Sequence, residues 1–161
     1  MTTDLPTVAH VDLDRYLGKW YEIARKPMRH EDATASNITA DYSLNEDGSV
    51  RVLNSCINED GEPEQSEGQA RPVDGSNARL EVSFLPQGLR WIPFTKGDYW
   101  IMRLDEEYQT ALVGDPQRKF LWLLHRNPQL DAGTRAQWLG FAQARGYDIS
   151  DIIVPVQTGQ A

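Results

Sequence analysis

Cysteine is almost missing from this chain. Cys56 is the only one in 161 residues, which excludes an intramolecular disulfide and any zinc site built from several cysteines. Histidine is scarce too. His10, His30 and His125 are scattered without metal-ligand spacing, and no glycine-rich phosphate loop sits between a strand and a helix, so neither a metal nor another cofactor is expected. No apolar run approaches the ~18 residues of a membrane-spanning helix. Low-complexity tracts, linkers and solenoid-length repeats are lacking. Positive charge is in the minority: 16 Lys and Arg stand against 24 Asp and Glu, for a net charge of −8. That balance argues against a nucleic-acid partner, whose phosphates most of this surface would repel. Residues 1–10 contain no basic segment followed by an apolar one, and no N-terminal cysteine offers a lipid acceptor. As written, the chain reads as cytoplasmic unless an export segment has been removed.

What is present is an ordinary globular composition, 40% hydrophobic and 25% charged, in a length that fits one domain over residues 1–161. Short apolar segments recur at regular spacing with turn clusters between them, the pattern of an all-β protein. Strands are expected at about 19–26, 36–44, 50–57, 65–73, 78–85, 97–104, 110–114 and 119–126. In the second, Ile38, Ala40, Tyr42 and Leu44 alternate with polar residues. Eight strands joined as a meander of hairpins predict an antiparallel up-and-down barrel, which has no free edge and an interior just wide enough for a small ligand. Asp131 is a candidate N-cap for a helix over about 131–146, which Gly146 would stop. Packed outside the barrel (about 18–126), this helix would cover the apolar outer set of the first strand, and a last strand is expected at about 149–155.

The segment Gly18-Lys19-Trp20-Tyr21-Glu22-Ile23-Ala24-Arg25 places a glycine elbow just before a strand that opens with an indole. A large ring there suits a plug for one end of the barrel. Asn37-Ile38-Thr39-Ala40-Asp41-Tyr42-Ser43-Leu44, the stretch from Asp105 to Tyr108 followed by Thr110 to Gly114, and Phe120-Leu121-Trp122-Leu123-Leu124-His125-Arg126 follow in order. Together these segments resemble the lipocalin family, in particular its bacterial members of the outer-membrane lipoprotein type, over about residues 11–156. The resemblance implies that Arg126 packs over Trp20, with Gly18, Trp20 and Arg126 closing the fold. Independently, a guanidinium over an indole face is attractive by ~0.5–2 kcal/mol.

Alternation points Ile38, Ala40, Tyr42, Val50, Val52, Leu80, Val82, Phe84, Trp122 and Leu124 inward, with Ile101 and Tyr99 joining them if the sixth strand takes the same register. Glu22, Asn54 and Arg103 are the polar members of this set. Arg103 would either meet a ligand headgroup or pair internally with Glu22. A mostly apolar interior with few polar groups is the usual form of a small-molecule site, and the resemblance implies a fatty acid or lysophospholipid as cargo. In that reading the protein binds, stores or transports lipid, for membrane upkeep, and is not an enzyme. The resemblance also implies a place in the bacterial cell envelope if an export segment is lost. The rivals are a lipid isomerase or hydrolase using Cys56, and a pigment or porphyrin binder. At the mouth, Trp91, Ile92 and Phe94 lie in a loop flanked by Arg90 and Lys96. Such a loop suits either transient contact with a membrane interface, a self-packed flap, or a dimer contact; monomer and homodimer both remain open.

Overall fold

A computed structural model describes residues 5–27, 35–58, 60–84 and 96–158. Eight antiparallel strands close into one barrel in chain order: β1 Gly18–Arg25, β2 Ser36–Leu44, β3 Val50–Ile57, β4 Pro63–Pro72, β5 Arg79–Phe84, β6 Lys96–Leu104, β7 Thr110–Gly114 and β8 Leu121–His125. Closure is made by β1, which pairs with β2 on one side (Trp20 opposite Ala40) and with β8 on the other (Glu22 opposite Leu124). A one-turn helix, α1 (Leu13–Tyr16), precedes the barrel, and α2 (Ala132–Gln143) follows it. Asp131 caps α2 by accepting from the Thr134 backbone N–H. Among the described residues no helix is long and apolar enough to cross a membrane.

Two apolar layers follow from the two faces of the strands. The inner one holds Trp20, Ala40, Tyr42, Val50, Val52, Leu80, Val82, Ile101, Val113 and Leu124, with Val11 and Tyr16 entering from below. The outer one packs Ile23, Ala24, Met102, Leu112, Leu121 and Leu123 against Trp138, Leu139 and Ala142 of α2 and against Tyr147. The Tyr147 hydroxyl reaches into the β7–β8 turn, donating to the Phe120 carbonyl (2.7 Å) and accepting from the Asp115 N–H (3.0 Å). It lies so close to Gly114 that any side chain there would collide with it.

Three bulges break the inward–outward alternation. In β2, Ser36 sits opposite Ile57 and Thr39 opposite Ser55, so the stretch between them carries one extra residue, and Asn37 there has φ +51. In β6, Ile101 sits opposite Val113 and Arg103 opposite Leu112, so two residues of β6 match one step of β7 and Met102 is the extra one. In β1, Glu22 sits opposite Leu124 and Ala24 opposite Leu123, which makes Ile23 the extra residue. Past each bulge the faces are exchanged. The last strand expected at about 149–155 is reduced to one bridge, Ile153 with Arg25. The chain there does something else. Beyond Tyr21 and Thr39, β1 and β2 separate, and the tail fills the gap: the Gln157 side-chain amide donates to the carbonyls of Glu22 (2.8 Å) and Ile38 (2.9 Å), and the Asn37 N–H donates to the Val156 carbonyl (2.8 Å).

Candidate functional site

The closed end is built on Gly18, Trp20 and Arg126. Gly18 has φ +104, a conformation that side chains resist, and a Cβ there would lie 3.1 Å from the Arg126 guanidinium. Trp20 is fully buried and donates its indole N–H to the Tyr16 carbonyl (2.9 Å). Arg126 stacks over the indole, 3.8 Å from the ring centroid. Its nitrogens donate to the carbonyls of Leu17, Lys19, Arg15 and Tyr108 at 2.9–3.1 Å. A cation can lie across an apolar floor here because its N–H groups are met by main-chain oxygens and its face by a π surface. Burial nonetheless lowers its pKa from the ordinary arginine value.

Three tyrosines extend from Trp20. Tyr16 is 5.0 Å from Trp20 and 5.6 Å from Tyr42 between ring centroids, and Tyr99 meets Tyr42 edge-on at 6.0 Å. The Tyr99 hydroxyl bonds both to that of Tyr16 (2.8 Å) and to that of Tyr42 (2.7 Å). Burial raises the pKa of all three phenols above their ordinary value, so they are neutral groups at any physiological pH.

The walls carry Ala40, Val52, Leu80, Val82, Ile101 and Leu124, all buried on the inner face, with Trp122 against them and Phe120 stacked on it at the mouth end. Asn54 belongs to the same face by register, opposite Ala40 and Ser66. Tyr99, Trp122 and Asn54 stay partly accessible although they face inward, which a tightly filled interior would not allow. Ile38 is buried with Ala35 and Cys56 in a small separate cluster. Phe84 is described by its backbone alone, which pairs with Gly68. Trp91, Ile92 and Phe94, like Arg29 and His30, lie outside the described residues.

The expectation for Arg103 is overturned. The bulge at Met102 turns it outward, where its guanidinium lies 4.4 Å from the Trp138 ring and 5.1 Å from Phe141 of α2. It can neither meet a ligand inside nor pair with Glu22. The partner of Glu22 is Arg25, at 2.9 Å, both buried. The Ile23 bulge turns Arg25 inward opposite Trp122, so the interior guanidinium comes from the first strand. Three further interior groups escaped the strand pattern. Arg25 is hidden by its bulge, and Tyr16 lies in a turn outside any strand. Ser66 sits on a strand too polar to show a face, and among the described residues its buried hydroxyl has no hydrogen-bond partner. Among the described residues no group of His, Cys, Asp and Glu could hold a metal ion. His125 lies on the outer face, bonded to Thr110 (2.8 Å), and burial lowers its pKa.

A family model described as a lipocalin-like domain matches residues 11–157. The chain belongs to the lipocalin family. It is 40% identical over 154 residues to outer membrane lipoprotein Blc of Escherichia coli K12, covering 94% of this chain and 82% of that protein. To temperature-induced lipocalin-1 of Arabidopsis thaliana it is 39% identical over 152 residues, 92% of this chain and 81% of that protein. Apolipoprotein D of Mus musculus is 34% identical over 152 residues, with 89% and 76% covered. Among solved structures, lobster apocrustacyanin A1 superposes with a TM-score of 0.71 over 99% of this chain and 93% of that one, at 14% identity. That likeness is one of fold. Lipocalins bind small hydrophobic ligands, and the eight-stranded barrel with its helix outside is the lipocalin architecture.

Proposed function

We propose that this lipocalin binds and carries a lipid with one long acyl chain, a fatty acid or a lysophospholipid, inside the barrel and does no chemistry on it. The observation that carries this reading is the inner face itself: apolar along Ala40, Val52, Leu80, Val82, Ile101 and Leu124, yet with Tyr99, Trp122 and Asn54 still partly accessible. Burial contributes ~0.8 kcal/mol per methylene, enough for micromolar affinity after the cost of association. The Glu22–Arg25 pair near the mouth is the polar station available to a headgroup. Transient contact with a bilayer, through the mouth loop of Trp91, Ile92 and Phe94, is part of the same proposal. The similarity to outer membrane lipoproteins favours a membrane-upkeep role. Native mass spectrometry of the purified protein should find a co-purifying lipid in the range ~250–550 Da. A protein that stays apo and takes up neither oleic acid nor oleoyl lysophospholipid would contradict the proposal.

A further inference from the structure

The interior holds more hydrogen-bonding capacity than the protein uses. The three hydroxyls of Tyr16, Tyr99 and Tyr42 supply three O–H donors, and two bonds join them. Whichever way those bonds run, one proton is left over, and among the described residues none of the three hydroxyls bonds to any other group. A phenol O–H buried without an acceptor is costly. Titration offers no escape, since burial keeps all three phenols protonated.

A second observation is independent of the first. Ser66 is 2% exposed and, among the described residues, its hydroxyl has no partner. By register it belongs to the inward row that runs from Trp20 through Ala40 and Asn54. That row lies one inward step toward the mouth from the row of Tyr42, Val52 and Gly68, a separation of about 7 Å along a strand. Tyr99, opposite Leu80 and through it Pro72, lies three inward steps from Ser66 along β4, so the unsatisfied groups face one interior at different heights. A barrel made only for hydrocarbon would have phenylalanine and alanine at such places.

We infer that the tyrosine cluster is a ligand subsite, and that the leading end of the bound molecule carries a neutral oxygen acceptor, a ketone, ester, ether or hydroxyl oxygen, to which the spare phenol proton is donated. The Arg126 charge beyond Trp20 favours an electron-rich atom at this spot and disfavours a cation. Ser66, on an inward row nearer the mouth, can bond to a second oxygen on the same molecule. This rests on the lipid-carrier reading and narrows it from any acyl chain to an oxygenated one.

The test uses octadecanoyl lysophosphatidylcholine and three analogues with a ketone at carbon 13, 15 or 17, whose bulky headgroup keeps the tail as the entering end. Affinity is followed by tryptophan fluorescence. At least one ketone should bind about three- to tenfold more tightly than the parent, and the advantage should vanish in the triple variant Tyr16→Phe, Tyr42→Phe, Tyr99→Phe, which keeps the rings. Removing one terminal tyrosine alone should not suffice, because the shortened chain still has a spare donor. Should the triple variant fold poorly, the infrared band of each carbon-13-labelled ketone bound to the unaltered protein decides: for at least the tightest binder it should lie below its position in alkane. Equal binding of parent and ketones, or an unshifted band, overturns the inference and leaves the lipid carrier standing. Failure of all four to bind overturns both.

Discussion

Arg126 shows how much one side chain can hold together. Its fork ties α1, the start of β1 and the β6–β7 turn through four main-chain carbonyls while its face covers Trp20. An ammonium keeps the charge but cannot present donors in that plane. Arg126→Lys should therefore lower stability by about 2 kcal/mol or more, measured by urea unfolding at pH 7. A loss under about 0.5 kcal/mol would mean the stacked geometry contributes little. Gly18, Trp20 and Arg126 were legible in the sequence because each is a distinctive residue in a short motif. Tyr16 was not. It ends the one-turn helix α1, too short for a period to apply, and its role appears only when that helix packs against β2 and β6.

At the scale of elements, the strands were legible and their faces were not always so. β5 and the Thr39–Leu44 part of β2 alternate cleanly, and their inward sets follow from period 2 alone. β1 and β6 each carry one extra residue, and a bulge leaves no signature in a segment whose two faces are both apolar, as in Tyr99-Trp100-Ile101-Met102. Arg103 is misread and Arg25 missed for this one reason. The tail was expected as a strand because Ile149, Ile153 and Val154 are β-formers, but with β1 already paired to β8 it finds room only as a strap over the β1–β2 seam. The outward position of Arg103 has a measurable consequence. Arg103→Ala removes the cation from the Trp138 and Phe141 rings and should cost about 0.5–2 kcal/mol of stability. The affinity for oleoyl lysophospholipid should stay unchanged within twofold. A clear loss of affinity with full stability would return Arg103 to the interior.

For the whole molecule, the architecture separates two tasks. The outer layer, α2 with Tyr147 and the strap, stabilises the barrel by burying apolar surface against it, so the inner layer need not be filled to keep the fold. That division leaves the inner face of a 161-residue chain free to serve a ligand, and the central claim is that the barrel interior takes an acyl chain. Crystals grown with a lysophospholipid brominated at the tail end test this most directly, through the anomalous signal of bromine. The account predicts a bromine peak inside the barrel, among Tyr42, Val82 and Tyr99. Peaks confined to the outer surface, with the interior holding ordered water alone, would contradict it.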